Sequence, residues 1–192
     1  MGTRGIIARP TPGDGFEGRY HHWDSYPTGL GATLFRLANE HFSGDLKRMM
    51  AVLIDEHPAG WSTITHANWN NPPGFTENPP SYFREDNTYD EKRAFAESHP
   101  SCYCHGDRKE EPKPLLTQVG DDGGAEYAYV ISIEGRTMGV LEKRYDDDDS
   151  RAVGFFGCSQ IDAHWRILAI IPLDGPEPDW DNLLAVAASR SI

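Results

Sequence analysis

Residues 20–31 encode a strand that ends in a tight turn and opens a helix, with the sequence Tyr-His-His-Trp-Asp-Ser-Tyr-Pro-Thr-Gly-Leu-Gly. Side chains alternate across a strand, so Tyr20, His22 and Asp24 are predicted to share one face. His21 would point to the opposite face. Such a junction places polar side chains at the edge of a sheet, where ligands are often bound.

Alternating and apolar segments predict the strands around this junction. Residues 4–9 and 16–23 flank a Pro-Thr-Pro-Gly-Asp-Gly turn and predict a first hairpin. Residues 126–133 and 137–145 flank a Glu-Gly-Arg turn and predict a second hairpin. Residues 165–171 are mostly apolar and predict one further strand.

Two helices are predicted between these hairpins. Apolar residues recur at helical spacing over 30–42, and again over 46–54, where Ser43 is a predicted N-cap and Asp45 lies in the first turn. A short C-terminal helix is predicted to open at residues 179–181. The expected fold class is therefore α+β, a mostly antiparallel sheet of two hairpins plus an extra strand, packed by two adjacent helices.

The chain length of 192 residues predicts a single domain over residues 1–192. Residues 65–114 change in composition, because Asn, Pro and Glu dominate and Pro-Pro and Asn-Pro breakers recur. A connection of this length inside a compact domain is usually functional or disordered. Its aromatic residues favour an ordered lid.

Charge and patterning limit the classes of partner. The chain has 18 Lys and Arg against 30 Asp and Glu, a formal net charge of −12. Nucleic-acid binding is not expected, because it needs a cationic face. No segment has the roughly 20 apolar residues needed to cross a membrane, and the amino terminus does not match a secretory signal. We therefore expect a cytoplasmic protein with a small-molecule ligand or a protein partner.

The strand end at residues 20–26 is the first candidate site. His22 and Asp24 are the predicted catalytic pair, since a carboxylate can orient an imidazole that acts as a general base. Tyr20 and Tyr26 would line the site, and Arg4 on the neighbouring strand would bind an anionic group. The alternative is a solvated hairpin end, in which Asp24 only caps the turn that follows.

Two glycines after the strand, Gly29 and Gly31, are candidate ligand-binding positions, because they could let the backbone approach a phosphate at a helix N-terminus. Their spacing matches neither a P-loop nor a dinucleotide-binding motif. Ordinary turn chemistry is the alternative.

A cysteine and histidine cluster is the second candidate site. Cys102, Cys104 and His105 combine thiolates with an imidazole, which are typical ligands of zinc, and Cys158 could add a distant ligand. The single residue between the first two cysteines is shorter than in a usual zinc knuckle, and we expect it to require an irregular chain. The alternatives are two cysteines that only pack, or a nucleophilic cysteine with a nearby histidine as its base.

Three segments carry a resemblance to a known group of proteins. They are residues 1–5 (Met-Gly-Thr-Arg-Gly) with the Tyr-x-His-x-Asp-Ser-Tyr-Pro-x-Gly-Leu-Gly run at 20–31, residues 102–108 (Cys-Tyr-Cys-His-Gly-Asp-Arg), and residues 126–130 (Glu-Tyr-Ala-Tyr-Val). The chain resembles a family of small uncharacterised proteins of actinobacteria and bacteriophages. The resemblance implies a bacterial cytoplasm, or a host cytoplasm for a phage product, and it implies no activity.

Two functions are open at this point. One is binding of a small polar or anionic ligand at the corner between the first hairpin and the first helix, with hydrolysis as the catalytic version. The other is a non-catalytic bacterial or phage protein that acts on a host protein through its acidic surface and aromatic loop.

Overall fold

The structure is a computed structural model of the chain. It describes residues 2–13, 15–66, 69, 88, 100–105, 108–119, 123–144 and 165–189.

The described strands form a single mixed sheet of eight strands, in the order β4-β3-β2-β1-β6-β7-β8, with β5 paired to β2 off this path. The strands are β1 (Gly5–Pro10), β2 (Phe16–His21), β3 (Trp61–Thr63), β4 (Ser101–Cys102), β5 (Leu116–Thr117), β6 (Tyr127–Ser132), β7 (Thr137–Lys143) and β8 (Trp165–Pro172). Five of the seven pairings are antiparallel, and β1–β6 and β2–β3 are parallel. The sheet is thus mostly antiparallel, as predicted, but two parallel pairs lie in its middle.

The helical segments lie between β2 and β3 and at the carboxyl end. Helix α1 (Ala32–Arg36) is continued on both sides by wider π-type turns, Pro27–Gly31 and Leu37–His41. Helix α2 (Leu46–Met50) continues into a π-type turn, Ala51–Asp55, and α3 (Trp180–Ser189) follows β8. None of the described helices is both long enough and apolar enough to cross a membrane.

The N-cap of α2 differs from the prediction. Asp45 is the capping residue, and its carboxylate accepts a hydrogen bond from the Arg48 backbone N–H at 2.9 Å. Ser43 instead adopts a positive φ of 49° in the turn before the helix. Asp45 is three residues before Arg48, which is the spacing at which an N-cap side chain reaches an unpaired backbone donor.

The apolar residues of the described chain divide between the two faces of the sheet. One face packs against the helices, with Ile7, Tyr129 and Met138 fully buried beneath Leu34 and Leu53. The other face has a smaller core, which includes the following buried residues: Ile6, Ala8, Phe16, Ala128, Val130 and Leu141. Neighbouring residues of one strand therefore enter different cores, and this sets which side chains of β2, β3 and β4 can meet.

These features confirm an α+β fold with a mostly antiparallel sheet. The single domain over residues 1–192 stays a prediction. Most of the predicted lid lies outside the described residues, but Ser101–Cys102 within it forms strand β4.

Candidate metal centre

The end of the second helical segment positions the first member of the centre. The π-type turn Ala51–Asp55 is followed by His57, which is 5% exposed. The Trp61 indole N–H donates to the Leu53 carbonyl at 2.8 Å and ties the start of β3 to this helix end. The imidazole of His57 packs on Trp61 with ring centroids 4.4 Å apart. Trp61 therefore positions the His57 imidazole next to the start of β3.

The second strand of this edge brings the cysteines to the same place. Cys102 is paired with Trp61 across the β3–β4 ladder, so its side chain points to the helix side of the sheet. The backbone N–H of Tyr103 donates to the Gly60 carbonyl at 2.9 Å and extends the pairing by one residue. Strand β4 ends at Cys102, and Tyr103, Cys104 and His105 follow in a bend. The single residue between the two cysteines is thus accommodated by an irregular chain, as expected, and the bend lets the adjacent Cys104 and His105 both reach the centre.

Four donor atoms meet at this point. His57, Cys102, Cys104 and His105, called the metal centre below, each offer one ligand atom, and these atoms all lie within 4.8 Å of one another. Cys102 Sγ is 3.0 Å from His105 Nδ1, and Cys104 Sγ is 3.9 Å from His57 Nδ1. Ligand atoms on a tetrahedral zinc ion would be about 3.3–3.8 Å apart. The four side chains thus fit a metal ion with only small shifts.

The two thiols differ in their proton affinity. A hydrogen bond from Cys102 and contact with His57 together lower the pKa of Cys104 to about 4, against the opposing effect of burial. The same hydrogen bond, together with burial, raises the pKa of Cys102. The pair therefore favours one thiolate, at Cys104, next to an imidazole.

An open pocket of about 620 Å³ borders the centre. His57 and His105 are among the residues that line it, whereas neither cysteine does. Its polar wall contains Arg48 and Glu56, which form a two-point ion pair with an Arg48 Nη2–Glu56 Oε2 distance of 3.2 Å. An aromatic wall contains His41, Phe42 and Trp69. A ligand in this pocket would approach the centre from its imidazole side.

A buried histidine, His21, lies beneath the predicted corner site and is hydrogen-bonded on both ring nitrogens. His21 is 2% exposed, and its Nε2 accepts the Ile64 backbone N–H at 3.1 Å. Its Nδ1 must then carry the proton and donate to Ser25 Oγ, 2.7 Å away. The Ser25 carbonyl accepts the Tyr129 hydroxyl at 2.6 Å. Burial lowers the pKa of His21 to about 3, so this imidazole is a neutral structural group.

The predicted catalytic pair, His22 and Asp24, follows His21 in the chain. His22 Nδ1 is hydrogen-bonded to the Tyr20 hydroxyl at 2.7 Å, and no hydrogen bond among the described residues joins His22 to Asp24. Asp24 follows the strand end at a positive φ of 56° and is exposed. After the effect of burial, its charge raises the pKa of Tyr26. Catalysis by His22 and Asp24 stays a prediction.

The two predicted glycines have close packing contacts. A Cβ atom on Gly29 would lie 2.3 Å from the Asp24 carbonyl oxygen. One on Gly31 would lie 3.0 Å from both the Trp180 and the Tyr129 ring. Close approach of chain to chain is therefore a sufficient reason for glycine at both positions, and ligand contact at either stays a prediction.

Three members of the metal centre are predicted by the sequence, and the fourth, His57, is not. No local pattern distinguishes His57 from the other seven histidines of the chain. It becomes a candidate only when β3 and β4 are known to pair. Cys158, the fourth ligand considered from sequence, lies outside the described residues.

Comparison of the chain with protein-family models, with curated proteins and with solved structures finds no match. The chemistry of the residues must therefore carry the functional argument.

Proposed function

We propose that the protein binds zinc at the metal centre and that the ion holds the segment after β4 against the end of the second helical segment. The observation that carries the proposal is the convergence of four donor atoms within 4.8 Å from two parts of the chain. His57 and Cys104 are 47 positions apart in sequence, so local structure alone does not bring them together.

The donor set favours zinc over other common ions. Two thiolates and two imidazoles match the ligands of closed structural zinc sites, whereas magnesium and calcium prefer oxygen. Two thiolates would also neutralise the charge of a divalent ion, which matters because His57 and Cys102 are buried. A full set of four protein ligands supports a structural role for the ion.

The pocket gives the proposal a second part. Two of the proposed ligands, His57 and His105, line it, so the ion would fix the shape of that part of the pocket. Arg48 and Glu56 supply charged groups and the aromatic wall supplies stacking surface. We infer that a small polar ligand enters this pocket and that its binding depends on the metal.

Elemental analysis of untagged protein tests the proposal directly. We expect stoichiometric zinc in the wild-type protein and its loss in the double variant Cys102→Ser/Cys104→Ser. The single variant His57→Gln should bind zinc more weakly, because one of four ligands is gone.

The third cysteine provides the matched control. Cys158→Ser makes the same chemical change at a position outside the proposed ligand set and should keep full zinc. Substitution with Co²⁺ should give thiolate-to-metal charge transfer in the wild-type protein but not in the double variant. Zinc content that is negligible in the wild type, or unchanged in the double variant, would refute the proposal.

A further inference from the structure

The segment that carries the metal ligands presents a different chemistry on its other side. Tyr103 lies between Cys102 and Cys104, and its ring contacts cationic side chains, with Lys113 Nζ 5.2 Å from the ring centroid. The guanidinium of Arg108 lies over the Tyr103 ring, with Cζ 4.5 Å from the ring centroid. This contact holds a cation at the sheet edge next to β2.

Tyr20 and His22 come to the same side of the sheet. Tyr20 lies opposite Ile6 in the β1–β2 ladder, on the face away from the helices. Its hydroxyl is hydrogen-bonded to His22 Nδ1 at 2.7 Å. Gly60 links Tyr20 to Tyr103, because the Tyr103 N–H donates to the Gly60 carbonyl at 2.9 Å and a Cβ atom on Gly60 would lie 2.9 Å from the Tyr20 carbonyl oxygen. A phenol, an imidazole and a guanidinium therefore meet at one place.

Arg4 adds a second guanidinium. The β1–β2 register pairs Gly5 with His21, so Arg4 and His22 come together at the end of this ladder. In agreement with this placement, burial and then the charges of Arg4 and Arg108 lower the pKa of His22. A Cβ atom on Gly124 would lie 2.9 Å from Arg4 Nη1, so a glycine there leaves room for the guanidinium. Among the described residues, no carboxylate forms an ion pair with the Arg4 side chain.

The nearby carboxylates bind other groups or make only a long contact with these arginines. Glu126 accepts the backbone N–H of Arg4, not its guanidinium, at 3.3 Å. Glu110 binds Lys113 Nζ at 2.5 Å and is 3.8 Å from Arg108 Nη1. The chain as a whole carries a net charge of −12. The two guanidiniums of Arg4 and Arg108 are therefore a local departure from the net negative charge of the protein.

We propose that Arg4, Tyr20, His22 and Arg108, called the anion patch below, bind the phosphate group of a small phosphorylated ligand. Guanidiniums bind carboxylate and phosphate oxygens through paired hydrogen bonds. Two guanidiniums, a hydroxyl and an imidazole supply more donors than the two oxygens of a carboxylate use. A phosphate group offers more oxygens and a second negative charge, so it fits this donor set better.

An indole next to the patch provides a readout. The ring of Trp23 packs edge-on against His22 with centroids 4.6 Å apart, and Trp23 is 45% exposed. Titration with inorganic phosphate at constant ionic strength should shift the Trp23 indole N–H signal in a saturable way, and Trp23→Phe assigns that signal. Acetate, the carboxylate probe, should bind at least about tenfold more weakly, since it has fewer acceptors and half the charge.

Charge-matched variants separate the patch from general electrostatics. Arg4→Gln and Arg108→Gln should each weaken phosphate binding about tenfold or more, the usual effect of losing a charge-assisted hydrogen bond. Lys47→Gln removes the same charge from an exposed position on α2 and should leave the affinity unchanged. If one arginine variant does not fold, the other still carries the test.

The failure of this proposal is distinguishable from failure of the zinc proposal. Zinc content is measured on the same samples, and both arginine variants should keep it. The phosphate proposal is overturned by an unsaturable response in the wild type, by equal binding of acetate, or by equal losses in Arg4→Gln and Lys47→Gln.

Discussion

Acid should destabilise this protein through one buried histidine, His21. Its Nε2 accepts the Ile64 backbone N–H, and its Nδ1–H donates to Ser25 Oγ. A second proton on the ring would turn Nε2 into a donor facing another donor. Burial lowers the pKa of this imidazole to about 3, against an ordinary value of 6.5.

The sign of the effect follows from proton binding. Below pH 6.5 the unfolded chain takes up a proton at His21, whereas the folded chain does not until about pH 3. The contribution of His21 to the free energy of unfolding is therefore complete above pH 6.5 and is lost as the pH falls from 6.5 towards 3. From pH 7.5 to pH 5 the expected loss is about 2 kcal/mol, and over the full window it is of the order of 4–5 kcal/mol.

Urea unfolding at several pH values measures this loss, and His21→Gln is the comparison. Gln can accept the Ile64 N–H through its amide oxygen but does not titrate. The variant should be less stable at pH 7.5, by about 1–3 kcal/mol, because the bond to Ser25 is lost. Its stability should then fall by about 2 kcal/mol less than that of the wild type on going to pH 5.

The comparison isolates His21 from the rest of the molecule. The other titrating groups, including those of the metal centre, are the same in both chains, so their contributions cancel in the difference. Equal losses of stability in the two proteins between pH 7.5 and pH 5 would refute the assignment of a neutral, structural role to His21.

Three further changes test the packing and the metal. Gly31→Ala should lower the free energy of unfolding by about 1 kcal/mol, measured by thermal unfolding, because crowding against Trp180 and Tyr129 outweighs the gain in helix propensity. Gly175→Ala is the control, since a Cβ atom there would come no closer than 3.5 Å to the described residues around it, and it should change stability by less than about 0.5 kcal/mol. Tyr129→Phe should cost about 1–3 kcal/mol by leaving the buried Ser25 carbonyl without its hydroxyl donor, and an unchanged melting temperature would contradict this bond. A strong chelator should lower the melting temperature of the wild type but not of a variant without both thiols of the metal centre, since an ion bound only to the folded state stabilises it.

Sequence predicts the strands of this fold better than their partners. The alternation of residues 126–133 and the turn after them predict a local antiparallel pair, and β6 and β7 do pair in this way. The parallel pairing of β1 with β6 joins segments more than 100 residues apart. No turn encodes such a pairing, because it depends on how the whole sheet closes around the helices.

The same distinction applies to the candidate sites. Cys102, Cys104 and His105 were predicted because their donor chemistry is visible within four residues. His57 was not, since its contribution depends on the β3–β4 pairing and on Trp61. Alternation placed His21 opposite His22, and the structure agrees, but the hydrogen-bond partner of His22 is Tyr20 and not Asp24.

The metal centre and the anion patch share one short segment, which has a thermodynamic consequence. Tyr103 lies between two proposed zinc ligands and supports Arg108 on the opposite side of the sheet edge. If zinc fixes this segment, removal of the ion should weaken phosphate binding by the same factor by which removal of phosphate weakens zinc binding. Arg4 directly precedes β1 and has no part in the metal centre. Arg4→Gln should therefore lower phosphate affinity and leave zinc affinity in phosphate-free buffer unchanged. If phosphate affinity did not depend on zinc and zinc affinity did not depend on phosphate, the segment would already be rigid without the ion.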